Sequence, residues 1–455
     1  MKQNGGEGES LFSVTTSLGT VSLFSLGIPI LVENVLNRML STVNTVVLGG
    51  FSDGAVAAVG GVSPIINLIS LFFVAVATGA TVLISNYIGG EKLSRAAKAV
   101  FSAVVTCVVF AAIMGLLLFT ARDGVVRLLI LEGVVAQYAI TYFSIRILAL
   151  PVSAASSILY SVLRCYGYTK STVVAGLGSN VINVLLCIYF IYGSPPKALE
   201  GVVGVGLASV TGQMFSLVMG IAVFVHKRVA VAVPKIKEFF ALVVSILRIG
   251  VPSGLSSGSL TLSQVITTPF IASLGMTALS AKVYFEAILG YTYSFSFAIG
   301  SANSLLVGRL CGAREYDHAK RLNRKLVGVS CAVNLAVSLS AFAFRIPLLS
   351  LFTDDTSVLK LSFAIFLVDI VAEQARAVSQ IYEYALRAAG DVTFSMVAII
   401  ISCWVCGVGL NYLFSIPCGL GLLGMWIAIS LDETVRAVTT YWRWKTNKWQ
   451  YKIKY

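Results

Sequence analysis

The chain has 455 residues, of which 57% are hydrophobic and only 12% charged, and it carries a formal net charge of +13 with eight cysteines and two histidines. A soluble domain carries about 25% charged residues, so this composition excludes a water-soluble globular protein and makes lipid the natural solvent of the surface. The positive charge sits in alternate loops rather than in one patch, which excludes nucleic acid as the partner.

The residues through Thr16 are polar and include Glu7 and Glu9, and the apolar run that follows, 18–48, is too long for the apolar core of a signal peptide. It is read as a retained first span. Apolar runs between polar loops predict twelve spans in all, at 18–48, 55–86, 96–120, 134–163, 171–192, 201–225, 242–272, 277–308, 324–345, 358–386, 392–414 and 421–442. The predicted fold class is therefore an all-α integral membrane protein.

Within the first span Glu33, Asn37 and Asn44 fall on one helical face, and Pro29 precedes them by a turn, where its missing N–H permits a hinge. The fifth span carries Asn180 and Asn183, candidates for lining a cavity or for hydrogen bonding to neighbouring helices. In the eighth, Lys282 and Glu286 have the spacing of a helix-surface ion pair, and Tyr284, Tyr291, Tyr293 and Phe295 supply aromatic surface. The tenth span holds the clearest polar signal. Asp369, Glu373, Arg376, Gln380, Glu383 and Arg387 stay within about 40° of one line on a helix and form a single stripe roughly 27 Å long. Charges inside a membrane cost roughly 2.5–3.5 kcal/mol each, so such a stripe faces protein or water. Two pairs, Glu373 with Arg376 and Glu383 with Arg387, leave one acid over, which suits proton or sodium coupling. From Asp391 to Asp432 the 40 intervening positions hold no charge and accommodate two spans.

Lys92, Arg95 and Lys98, then Arg164 and Lys170, then Lys227 to Lys237, then Arg309 to Lys325, and finally the tail from Arg443 to Lys454 lie on one side of this topology. The opposite loops hold only Arg122, Arg127, Lys197, Arg345 and Lys360, so both termini are expected in the cytoplasm, with the protein in the plasma membrane. The cysteines imply no disulfide framework, and Cys403-x-x-Cys406 lies in an apolar helix without flanking ligands, so no metal site is expected. No phosphate-binding loop of the G-x-x-x-x-G-K-[ST] type is present, and no enzyme activity, cofactor or obligate protein partner is indicated.

An internal repeat organises the chain. Gly27-Ile28-Pro29 recurs as Gly250-Val251-Pro252, an offset of 223 that also relates Gly89 to Gly312, Ala96 to Ala319, Arg164 to Arg387 and Gly167 to Gly390. After the fifth span the offset becomes 220, relating Gly201 to Gly421. Each half has six spans, so the repeats are parallel, with lobes at 1–230 and 231–455. A duplicated bundle of this kind can open alternately to either side, as a carrier requires.

These landmarks resemble the multidrug and toxic compound extrusion family along nearly the whole chain. The resemblance rests on Gly27-Ile28-Pro29 with Ser41-Thr42-Val43-Asn44-Thr45 and Gly49-Gly50, on Tyr87-Ile88-Gly89-Gly90 with Gly308-Arg309-Leu310-Cys311-Gly312-Ala313, and on Leu163-Arg164 with Leu386-Arg387-Ala388-Ala389-Gly390-Asp391. It implies a V-shaped pair of bundles, a central cavity and cation-coupled export. The family's usual acids are replaced here by Asn44, Cys187, Leu260 and Arg376. Coupling is then expected to use Glu373, Asp369, Glu33 or Glu286, with Asn37, Asn44, Asn180, Asn183, Arg376, Gln380, Tyr284 and Tyr291 lining the cavity. The expected function is a secondary active antiporter exporting small amphipathic, cationic organic compounds on a proton or sodium gradient. Two alternatives are a lipid-linked precursor flippase, favoured by Arg38, Arg146, Lys282 and Arg376, and a membrane receptor or scaffold, which would not need the repeat.

Overall fold

A computed structural model describes residues 13–452 except 18, 50, 129–132, 194 and 354, and leaves undescribed the side chains of 19, 41–46, 49, 53, 128, 198 and 276. The first element among the described residues is a short hairpin, β1 (Ser13–Thr16) paired antiparallel to β2 (Gly19–Ser22). The first span was expected to start at 18; the helix starts at Leu23, because the Thr- and Ser-rich segment before it satisfies its backbone by strand pairing and the Thr15 and Thr20 hydroxyls meet at 2.9 Å.

Then follow α1 (Leu23–Gly49), α2 (Asp53–Gly89), α3 (Leu93–Thr120), the short α4 (Arg122–Leu128), α5 (Gly133–Leu148), α6 (Leu150–Cys165), α7 (Thr169–Tyr192) and α8 (Val202–His226). The second half has α9 (Ile236–Ala272), α10 (Met276–Gly312), α11 (Tyr316–Ala343), the short α12 (Arg345–Leu349) and α13 (Thr356–Ala388). It ends with α14 (Val392–Ser402), a π-helical stretch Cys403–Leu410, α15 (Asn411–Ser415) and α16 (Gly421–Lys445). These elements coincide with the twelve expected spans, with two internal irregularities. The fourth span is two helices bent by 47° between Leu148 and Leu150, where Pro151 has no N–H to continue the ladder. The eleventh carries the π-helical turn over the Cys403–Cys406 motif, and the Cys403 thiol donates to the Ser259 carbonyl at 3.8 Å.

Among the described residues eight helices are long and apolar enough to cross a membrane, and nine with the bent pair. The long helices that fall short are α10, α13 and α16, which carry the buried charges described below. Large apolar side chains such as Leu116, Leu185, Val218 and Val225 are more than 60% exposed, as a lipid-facing surface demands.

The chain forms two compact units. One comprises residues up to Leu31, Ser85–Glu91 and Pro252–Tyr455; the other comprises Val32–Ile84 and Lys92–Val251. In the first, Phe285 sits edge-on to Phe366 at 5.9 Å and to Trp426 at 5.6 Å, within a core completed by Ile365, Leu422 and Met425. In the second, Phe72 stacks on Phe110 at 3.5 Å, the Tyr160 hydroxyl bonds the Ser216 carbonyl at 3.0 Å, and Lys98 reaches Glu238 at 2.8 Å. Lys98 and Lys235 hold the exposed Glu238 carboxyl below its usual range.

The repeat is visible in the backbone. Left-handed residues occur at Glu91 and Arg314, at Gly167 and Gly390, each pair 223 apart, and at Gly201 and Gly421, 220 apart. Within the first unit α2 and α10 cross with no side chain between them: a Cβ on Gly89 would lie 1.9 Å from the Arg309 carbonyl oxygen, and one on Gly312 would lie 1.9 Å from that of Asn86. Neither partner is a movable side chain, so the helices must separate to admit a methyl group. Gly89→Ala should lower the thermal midpoint of the purified protein by roughly 5 °C or more. Gly60→Ala, with nothing within 4 Å of the added carbon, should leave it unchanged or raise it. Equal midpoints for the two variants would contradict the crossing.

Candidate functional site

The polar stripe of α13 is buried in the first unit and faces α10, α11, α14 and α16. Asp369, Glu373, Gln380, Glu383 and Arg387 are all buried there. Arg376 donates from its Nη1 to Glu373 and from its Nε to Glu433 of α16 at 2.9 Å. Glu433 also accepts from the Ser379 hydroxyl at 3.0 Å. Arg436, one turn along α16, holds Asp432 at 2.7 Å and Glu433 at 2.8 Å, and the Ser402 hydroxyl donates to Asp432. Arg387 pairs with Glu383, so both ion pairs expected on the stripe are formed. Tyr293 of α10 lies under the Arg376 guanidinium at 5.4 Å, and Asn334 of α11 donates to the Glu373 carbonyl at 3.2 Å.

The spacing of each helix explains this construction. Positions three and four apart share a face, so α13 presents its acids and arginines in a column and α16 answers with Asp432, Glu433 and Arg436. Charge-assisted bonds that share Arg376 and Arg436 each between two acids make removal of one of their members expensive. The cluster nevertheless has five carboxylates, Asp369, Glu373, Glu383, Asp432 and Glu433, against three guanidiniums, Arg376, Arg387 and Arg436. Asp369 forms no ion pair among the described residues and lies beside the Trp426 indole. Glu373 is fully buried, and its Oε2 has no donor, because the neighbouring Thr292 hydroxyl gives its proton to the Leu289 carbonyl. The site is an acidic, incompletely compensated interior.

The other candidates lie elsewhere. Glu33 is in the second unit, where both its oxygens accept from Arg164 Nη2 at 2.6 and 2.8 Å. Asn37 accepts from Asn180 at 3.3 Å, and Asn183 donates to Ser209 at 3.2 Å. Asn44 lies in α1, but its side chain is outside the described residues. Glu286 is half-exposed and 3.7 Å from Lys282, whose ammonium also donates to Thr268. Tyr284 stacks on Phe352 and belongs to the apolar core, and Tyr291 is 40% exposed. Pro29 lies inside an uninterrupted α1. Sequence reasoning missed Asp432, Glu433 and Arg436. Their signal was present, since all three fall inside the twelfth expected span at spacings of one turn.

A chain of long helices that are apolar outward and carry a charged polar interior, built on a duplicated plan, is a multi-pass membrane transporter. The chain belongs to the MatE family, whose profile matches residues 29–189 and 252–413, once in each half. YisQ, described as an uncharacterised transporter of Bacillus subtilis, is 31% identical over 437 residues, covering 94% of this chain and 95% of its own length. NorM of Thermotoga maritima, described as a probable multidrug resistance protein, is 23% identical over 433 residues, covering 94% and 92%. Among solved structures, a mutant of the Vibrio cholerae MATE transporter VcmN superposes with a TM-score of 0.86 at 19% identity, covering 94% of this chain and 98% of that one.

Proposed function

We propose that the protein is a secondary active exporter of small amphipathic, cationic organic compounds, working by alternating access on a proton or sodium gradient in the plasma membrane. The observation that carries this reading is the carboxylate excess buried on α13 and α16. An acid without a base in a low-dielectric interior needs a proton, a metal cation or an organic cation to balance it, and exchange of one for another is the elementary step of antiport. Asp369 and the open oxygen of Glu373 are the coupling groups, and Arg376 ties Glu373 to Glu433. Membership of the MatE family and relatives described as multidrug resistance proteins support the drug-like substrate.

Pro29 and its repeat mate Pro252 stand next to the points where α1 and α9 pass from one compact unit to the other. A proline removes one rung of the helical ladder there, which suits a hinge. The distribution of basic loops supports a cytoplasmic side for both termini.

The test is transport in proteoliposomes of purified protein, using a fluorescent lipophilic cation with proton and sodium gradients imposed separately. Movement is expected with one gradient and not without it. Movement of anionic lipid-linked sugars, with none of the cation, would replace this reading by a flippase.

A further inference from the structure

The second compact unit gathers positive charge at a place far from the buried acids of α13 and α16. Between α8 and α9 residues 227–235 run without helical structure. They are held by the Val229 N–H on the Phe224 carbonyl at 3.1 Å and by the Ala232 N–H on the Ala97 carbonyl of α3 at 3.3 Å. Lys227 lies over the ring of Tyr168, just before α7, 5.7 Å from its centroid. These contacts bring three separate stretches of chain to one rim. Arg95, Lys170, Lys227, Arg228, Lys235 and Lys237 are all exposed there and form no ion pair among the described residues. The carboxylate at the end of the connecting segment is already taken: Glu238 accepts from Lys98 at 2.8 Å and from the Lys235 N–H at 3.3 Å. From Gly201 to Lys237 the chain has no acid at all.

The same segment turns apolar side chains outward. Val229 and Pro234 are its buried footholds, whereas Val231 is exposed, Val233 is 74% and Ile236 77% exposed, and Phe240, one turn into α9, is exposed as well. Cations interleaved with outward valines and an isoleucine at the end of a membrane-spanning helix suit neither water alone nor hydrocarbon alone. They suit the headgroup level of a bilayer, where the apolar groups dip inward and the ammonium and guanidinium groups stay among the phosphates.

We propose that this rim is a binding surface for anionic phospholipid, with the segment that joins the two halves lying along the leaflet as an interfacial strap. A phosphodiester headgroup of net negative charge supplies the counterions that the six cations lack, and each Lys or Arg held near such a surface adds to the attraction. A zwitterionic headgroup carries its own cation and satisfies them less. A soluble polyanion offers the same phosphates and nothing for Val231, Val233 and Ile236, so the apolar side chains favour lipid. The rim keeps this chemistry whichever way the chain is oriented and whatever it transports.

The test is the thermal midpoint of the purified full-length protein in nanodiscs of phosphatidylcholine and in nanodiscs of an equal mixture with phosphatidylglycerol. Phosphatidylglycerol should raise the midpoint by on the order of 5 °C. Lys235→Gln/Lys237→Gln should lose about half of that rise, and adding Lys227→Gln and Arg228→Gln should remove most of it. Arg127→Gln/Lys197→Gln takes the same charge from exposed positions beyond the far ends of α3 and α7 and should keep the whole rise. The rise within each variant is the readout, so a variant with a lower midpoint in phosphatidylcholine still decides the matter. No rise in the wild type, or an equal loss of it in the two double variants, overturns the site. A rise of the same size from inositol hexakisphosphate added to phosphatidylcholine nanodiscs, lost on the same substitutions, would assign the rim to a soluble polyanion and overturn the lipid.

Discussion

Glu373→Gln should abolish gradient-driven efflux, by tenfold or more, while Asn44→Ala keeps most of it. Glu373 is the fully buried acid of the α13 column, held by Arg376 through one oxygen and left without a donor at the other. The glutamine has the same shape, and its amide oxygen can still accept from Arg376. It cannot bind and release a proton, and it is a poorer ligand for sodium than a carboxylate. Folding and surface expression should therefore survive, and the loss should appear in transport alone. Asn44 has no titratable group to lose. Normal transport by Glu373→Gln combined with inactivity of Asn44→Ala would place coupling in the first span and refute the assignment to α13.

Arg436→Leu is expected to fail differently, at the level of folding. Its guanidinium bridges Asp432 and Glu433 and is itself 4% exposed. Without it Asp432 keeps only the Ser402 hydroxyl and Glu433 must rely on Arg376 and Ser379. Breaking a buried ion pair from one side costs about 3–5 kcal/mol, a large fraction of the stability of most proteins. The purified variant should show a sharply lowered thermal midpoint or fail to accumulate. Adding Asp432→Leu should recover part of the loss, because removing both partners leaves fewer orphaned charges. If Arg436→Leu unfolds at the wild-type temperature, the network is not structural.

Much of the architecture was legible because lipid allows few solutions. An apolar run of span length must be a helix, and the ends of α3, α7 and α8 fall close to where hydropathy places them. Breaks inside a run are harder to see: Leu148 to Leu150 is as apolar as its flanks, and only Pro151 hints at the bend. The hairpin at Ser13–Ser22 was hidden because its Thr and Val residues merge with the apolar run of α1. In the site, periodicity along one helix found the α13 column and its two internal pairs. It passed over Asp432, Glu433 and Arg436, whose one-turn spacing within α16 was legible; what the spacing could not show is that Glu433 reaches across to Arg376 and Ser379 of α13. It also grouped Glu33 and Glu286 with the cluster by residue type, whereas burial separates them: Glu286 is half-exposed and Glu33 is matched by Arg164.

The reciprocal crossing of α2 and α10 has the geometry of an isologous contact, in which one patch meets its own copy: Gly89 faces the carbonyl of residue 309, and Gly312 faces that of residue 86, with 86 and 309 again 223 apart. In a homodimer of six-span chains such a patch is under double constraint, because any change appears on both sides of the contact at once. Joining the two copies in one chain removes that constraint. Here the glycines have stayed the same on both sides, as contact between backbones demands, while the side chains at the equivalent positions have parted company: Asn86 donates to the Ala388 carbonyl at 3.0 Å, and its counterpart is the buried cation Arg309.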